Sequence, residues 1–428
     1  MKNLPKRTFP ILSGILLVIA LSLIFIGNPL MAQSLRNGFV YYLPIIRNNQ
    51  EIIASTSYYL PTTDAVFLYT LGCDQGRRDL LEPGIQDSVV VLDFSYPVYN
   101  DVIGYGADLF EDSRSYPTDP APISAITEGV KGFAEGYYQC SGADTQSNLV
   151  IGIGTNNKAL SINTLEQTAA HGAAWGEMVN DVNQWALDRG MLHQVQAYGA
   201  SDMEVDWNTP LMTRSWISGF ESAGDNFLIH FGDASGCPYE DNPYWNCNNN
   251  WDLEDVWYVS WGAPPALPLP LIYLNDGVHA KQWAFISQYS LEHHGFRLNF
   301  TGVFTQSYFC EQFNWSSCER TDNTPEEAYA QLTAELNKFP GAAQHIRWKT
   351  DIRWIHEAEV TQSSVSGAEV RSASHPIYDE IITLENALQT STLSPDLKIS
   401  LETKLRIYKA WASMIETSMQ NPAPKNNQ

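Results

Sequence analysis

The sequence predicts an α/β fold, a (β/α)8 barrel of TIM type with one degenerate unit, followed by C-terminal helices. Three observations carry that expectation. From Asp87 to Thr305, apolar runs of strand length alternate with longer segments of helical period, the pattern of parallel strands joined by helical connections. About seven such runs fit a barrel better than a doubly wound sheet, and neither Gly-x-Gly-x-x-Gly nor a P-loop follows the first of them. The polar residues Asp93, Asn156, Asp202, Glu204 and Asp233 all fall at C-terminal ends of runs, the rim on which such barrels carry their chemistry.

The chain begins with Lys2, Lys6 and Arg7, an apolar run from Ile11 to Ile26, and then Leu-Met-Ala before Gln33. That order reads as a secretory signal over 1–32 cleaved after Ala32, or as an uncleaved anchor over 10–27, and in both cases the rest of the chain is exported. Secretion or display at the cell surface is therefore expected, with membrane contact only through this segment. Residues 33–64 read as an exposed linker, and Phe67 to Leu71 as an added strand. Six cysteines, at 73, 140, 237, 247, 310 and 318, are an even number in an exported chain. The expected pairing is Cys237 with Cys247 and Cys310 with Cys318, leaving Cys73 for Cys140.

Within the barrel, placed at 65–320, Val89 to Phe94 is the first clear strand and Ile123 to Tyr138 a helix. Leu149 to Thr155 is the next strand. His171 to Arg189 carries Trp175, Met178, Val179, Val182 and Ala186 at helical spacing and stops at Gly190. Val195 to Ala200 is a strand, and Thr209-Pro210 opens a helix through Phe220. Asn226 to Phe231, Val256 to Ser260, Leu271 to Tyr273 and Phe300 to Thr305 read as strands, with a helix over Val278 to His293. After Cys318 the extension 321–428 contains the capping box Thr324-Pro-Glu-Glu and a helical hairpin, Pro376 to Gln389 and Pro395 to Met419, with Ser394 as a cap. Residues 361–374 are Ser/Ala-rich. The pairs Arg347-Trp348 and Arg353-Trp354 repeat at a spacing of six without an assigned role.

The net charge of -23 excludes nucleic-acid phosphates and anionic lipid as main partners. Asp202, Glu204 and Asp206 alternate on one face of an extended segment, and such acids demand a cleft, a metal or a shared proton. Glycoside cleavage needs a proton donor and a second carboxylate that stabilises positive charge, a pair whose pKa values are held apart. Glu204, with the longer reach, is the expected acid, Asp202 its charged partner and Asp93 a neighbour across the mouth. Asp206 reads as a rim or helix-capping residue, and His171 and His230 as structural.

Val-Val-Val-Leu-Asp93-Phe-Ser at one strand end and Asp202-Met-Glu204 at a later one resemble the TIM-barrel N-acetylmuramidases of glycoside hydrolase family 25 and related glycoside-hydrolase-like domains. Leu-Ile-Tyr273 and the stretch from Gln282-Trp283 to Gly302 are similar to the closing part of such barrels. The resemblance covers 87–306, about half the chain. It implies a glycan partner such as peptidoglycan, with Glu204 as proton donor and Asp202 assisting. Asn156, Trp207, Asp233, Trp251 and Trp261 are the expected substrate contacts. No cofactor is expected; the acids and asparagines between Gly232 and Asp255 have the composition of a Ca²⁺ loop but match no EF-hand spacing. The alternative to a hydrolase is a non-catalytic carbohydrate-binding or cell-surface scaffold protein on the same barrel.

Overall fold

The structure, a computed structural model, describes residues 52–425 apart from 111–119, 159–161, 243, 314–315, 357–358, 360–376 and 391. The expected leader or anchor, residues 33–51 of the expected linker and the Ser/Ala-rich stretch 361–374 lie outside the described residues. Among the described residues no helix is long and apolar enough to cross a membrane.

The central sheet has eight parallel strands: β1 (Ser55–Tyr59), β2 (Asp87–Asp93), β3 (Asn148–Asn156), β4 (Val195–Asp202), β5 (Leu228–His230), β6 (Ala266–Pro268), β7 (Gly302–Thr305) and β8 (Trp348–Trp354). Each strand from β1 to β5 pairs with the next, β7 pairs with β8, and β8 with β1. Between β6 and β7 the sheet ends are drawn together by a bridge from Leu271 to Phe304, where the Ile272 N–H donates to the Phe304 carbonyl at 2.9 Å. The result is a TIM-type barrel. Its interior is tight: a Cβ on Gly152 of β3 would lie 3.1 Å from Ala200 Cβ of β4 and 3.2 Å from Val91 Cγ2 of β2.

The outer layer comprises α1 (Ala65–Leu81), α2 (Ile123–Cys140), α3 (Leu165–Asp188), α4 (Pro210–Ser222), the short α5 (Leu253–Trp257), α6 (Val278–His294) and α7 (Pro325–Leu336). Caps expected from sequence set several boundaries: Thr209 accepts the Met212 N–H, and Thr324 with Glu327 closes a capping box. The disulfides are Cys73–Cys140, joining α1 to α2, Cys237–Cys247 and Cys310–Cys318, as expected, and point to an oxidising compartment.

The last unit departs from the barrel repeat. Helices α8 (Ile377–Leu388) and α9 (Pro395–Gln420) pair with each other, and α9 packs on segments that enter the strands. Lys404 Nζ donates to the Trp261 and Ala263 carbonyls, both at 2.8 Å, before β6, and the Trp411 ring N–H reaches the Asp225 carbonyl before β5. The extension thus covers the barrel floor, leaving the opposite, C-terminal face to the acids.

Five expectations need correction, the first being the strand placed at Leu271 to Tyr273, which lies instead at Ala266–Pro268 and leaves Leu271 only the bridge to Phe304. β1 lies in the expected linker and β8 in the expected extension, so the barrel runs beyond 65–320 at both ends. β1 reads Ser-Thr-Ser-Tyr-Tyr, and its hydroxyls bond across the sheet: Ser57 Oγ sits 2.7 Å from Thr350 Oγ1 of β8 and accepts the Val91 N–H of β2 at 2.9 Å. A strand built on satisfied hydroxyls shows no apolar run. In β8 the spacing of six is even, which puts Trp348 and Trp354 on one face. Phe67 to Leu71 is helical within α1, started by Asp64 capping the Phe67 N–H at 2.8 Å. Val256 to Ser260 is also helical, because Asp252 and Asp255 form a capping box that starts α5 and the chain continues into the π-helical turn Tyr258–Gly262.

Candidate active site

The strand register builds the mouth. Tyr59 at the end of β1 pairs with Asp93 at the end of β2, Asp93 with Gly154 of β3, and Asn156 of β3 with Asp202 of β4. Glu204 lies two residues beyond Asp202, and Asp233 beyond β5. Asp93 and Asp202 are 1 % and 7 % exposed, Asp233 is 5 % exposed, and Glu204 is partly open to solvent. Among the described residues none of these four makes an ion pair. Arg214 is held by Asp255 at 2.8 Å and stacks over Tyr258.

Burial without a counter-charge disfavours ionisation, so all four carboxyls are pushed up. Desolvation raises Asp93 to about 7, against the pull of the Ser95 N–H. For Asp233, desolvation is again the largest cause and the value is about 6, moderated by the Ser235 N–H. Desolvation, then Asp233 and Asp206, raise Glu204 to about 8, opposed by Lys158. Asp202 lies well above the carboxylate range through desolvation and then the charges of Glu204, Asp93 and Asp233. Its Oδ1 is buried with no hydrogen-bond partner. The same acids raise the hydroxyls of two tyrosines to which the sequence assigned no site role, Tyr59 and Tyr273, in each case after desolvation.

The backbone that carries Glu204 is clamped. The Asn157 side chain accepts the Glu204 N–H at 3.2 Å, donates to the Glu204 carbonyl at 3.0 Å and donates to Thr213 Oγ1 at 3.2 Å. Asn157 stands beside the expected Asn156, whose own Oδ1 accepts the Lys158 N–H at 3.0 Å. On the β2 side, Ser95 adopts φ 74°, a left-handed conformation uncommon for a non-glycine residue, and its N–H caps Asp93 Oδ1 at 2.8 Å.

The loop tied by Cys237–Cys247 braces the turn after β4. Asp206 Oδ2 accepts from Ser235 Oγ at 3.0 Å and from Asn248 at 3.3 Å, which makes it a rim residue; Thr209, not Asp206, caps α4. Trp251 is 1 % exposed and donates to the Asn208 carbonyl at 2.8 Å, so it supports the loop and offers no face to a sugar. Trp261 is also 1 % exposed and lies at the floor under Lys404, away from the acids. Of the expected tryptophans, Trp207 alone is partly open, with Lys158 Nζ 5.6 Å from its ring centre.

Asp252 and Asp255 are used in the capping box, and Glu254 bonds His294 and Tyr289. Among the described residues no group of three or more His, Cys, Asp or Glu is placed to hold a metal ion. His171 is fixed as a neutral tautomer: Nε2 donates to the Gly106 carbonyl at 2.9 Å, Nδ1 accepts from Trp216, and burial lowers its pKa to about 4. Tyr59, in register with Asp93, forms an edge-to-face and tilted cluster with Phe110, Phe309 and Trp354, with centroids 4.7–6.3 Å apart. Acids at a barrel mouth with half-open rings beside them can hold a polar substrate with flat apolar faces and move a proton to it.

Compared with known proteins, the chain matches no family model, no curated protein and no solved structure.

Proposed function

We propose that this protein is an exported glycoside hydrolase that cleaves a cell-wall or extracellular glycan such as peptidoglycan by carboxylate acid/base catalysis. The observation that carries the reading is the group of four unpaired carboxyls, Asp93, Asp202, Glu204 and Asp233, at the C-terminal mouth of the barrel with ionisation spread from about 6 upward. Glu204 keeps its proton at neutral pH and is the partly open member of the group, so it is assigned as the donor to the leaving oxygen. Asp233 ionises first and is the leading charge acting on Glu204, so the negative partner is assigned to Asp233. Asp202, the charged partner expected from sequence, is pushed well above the carboxylate range by desolvation and by the charges of Glu204, Asp93 and Asp233, so the charged role passes to Asp233. The resemblance to family 25 muramidases supports the same substrate class.

In the reaction the C–O glycosidic bond breaks, Glu204 protonates the departing oxygen, and water supplies the hydroxyl to the anomeric carbon and a proton back to Glu204. The test is release of reducing ends from peptidoglycan and from β-linked glycans by the parent and by Glu204→Gln. Release that rises near pH 6, falls near pH 8 and disappears in the variant is expected, the two limbs belonging to the coupled group. Unchanged release by Glu204→Gln refutes the assignment. Binding without release in the parent supports the non-catalytic alternative.

A further inference from the structure

We infer that Lys158 is a receptor for a carboxylate on the substrate, so that the site takes an acidic glycan in preference to a neutral one; this rests on the glycan reading above. Lys158 follows the β3 end. Its ammonium lies 5.6 Å from the centre of the Tyr96 ring and 5.6 Å from that of Trp207, one from the segment after β2 and one from the segment after β4. Two rings therefore hold one cation at the mouth. Its charge acts on Glu204, which places it beside the proposed donor.

The chain carries 48 acidic against 25 basic side chains, so a lysine at an acidic mouth has ample opportunity to pair. Arg214 pairs with Asp255, Arg347 with Asp87 and Lys349 with Glu326. Among the described residues Lys158 makes no ion pair, and its ammonium donates no hydrogen bond. Its backbone N–H donates to Asn156 Oδ1. An ammonium oriented by aromatic faces, with its three donors unspent, remains able to bind an anion. At pH 6 Asp93 and Glu204 are largely protonated and Asp233 is near its midpoint, so an incoming carboxylate meets Lys158 against less negative charge than four ionised acids would carry.

The probes are a tetrasaccharide alternating N-acetylglucosamine and N-acetylmuramic acid, which carries lactyl carboxylates, and chitotetraose, which lacks them. Binding of both to the full chain and to Lys158→Met is measured by calorimetry at low salt and pH 6, with the melting temperature as a control for folding. A charge-assisted contact predicts that the parent prefers the acidic tetrasaccharide by roughly 10-fold or more and that the preference collapses toward unity in Lys158→Met and at high salt. Equal affinity for the two probes in the parent, or a preference that survives in a folded Lys158→Met, overturns the inference and leaves the glycan reading standing. Failure of both probes to bind overturns both.

Discussion

Replacing Gly232 by alanine tests whether the acids are held where the barrel puts them. Gly232 follows β5 and lies against the peptide of Met203, the residue between Asp202 and Glu204. A Cβ at this position would sit 2.4 Å from the Met203 carbonyl oxygen and 2.6 Å from both its carbonyl carbon and its amide nitrogen. The first of these is roughly 1 Å short of ordinary contact. All three are backbone atoms, so no side chain can rotate aside; either the end of β5 or the Asp202–Glu204 segment must move. Overpacking of this kind costs roughly 1–3 kcal/mol, read as a lower urea midpoint in unfolding with the disulfides intact. A shift of the donor by about that distance lowers a glycosidase rate roughly 10²-fold. The stability loss is expected whatever the substrate proves to be. A Gly232→Ala protein with the parent's urea midpoint and the parent's rate of reducing-end release refutes the close-contact argument.

Two further outcomes follow from the same packing. Asp79 of α1 is 4 % exposed and accepts from Tyr137, Gln75 and Ser88, yet desolvation raises its pKa from 3.8 to about 7. The folded state therefore binds a proton that the unfolded chain has released between these values, so the contribution of Asp79 is favourable below pH 4 and is lost as pH rises through 7. At 1.36 kcal/mol per unit the loss amounts to about 4 kcal/mol, and Asp79→Asn should gain most of it at pH 8 and little at pH 4.5; a stability difference independent of pH between urea curves contradicts this. Replacing Cys237 and Cys247 with serine frees the loop that braces Asp206 and Asn208, with an expected cost of up to about 3 kcal/mol and faster proteolysis between the two positions. Unaltered cleavage there argues that the loop is held without the bond.

Much of the mouth was legible because its chemistry follows strand ends. Asp93 and Asp202 terminate β2 and β4, and Asp233 and Glu204 come within three residues of β5 and β4. The expected tryptophans fared differently. Trp251 stands between Asn250 and Asp252 and Trp261 before Gly262, yet Trp251 reaches a backbone carbonyl, Trp261 packs under a lysine, and both are closed to solvent. Composition near a ring reports polarity, not which face the fold leaves open. Tyr59 sits in a hydroxyl-rich strand that no periodic pattern marks, and Tyr273, though within an expected strand, carried no signal that it faces the acids. Asn157 carried a signal in the Asn-Asn pair at the end of β3, but its role depends on Glu204 being adjacent, 47 residues later.

The sequence by itself determined the parallel αβ repeat and the strand-end acids, because period and capping are local properties; it suggested the two short disulfides, 10 and 8 residues apart, and left Cys73–Cys140, 67 apart, to elimination. Tertiary structure decided the rest. The first and last strands close the barrel through hydroxyl and tryptophan contacts between residues nearly 300 positions apart. The order in which the acids ionise also belongs to the fold. It is set by how much water each carboxyl loses and which charges come near it, and those quantities exist only once the eight strand ends are gathered around one mouth.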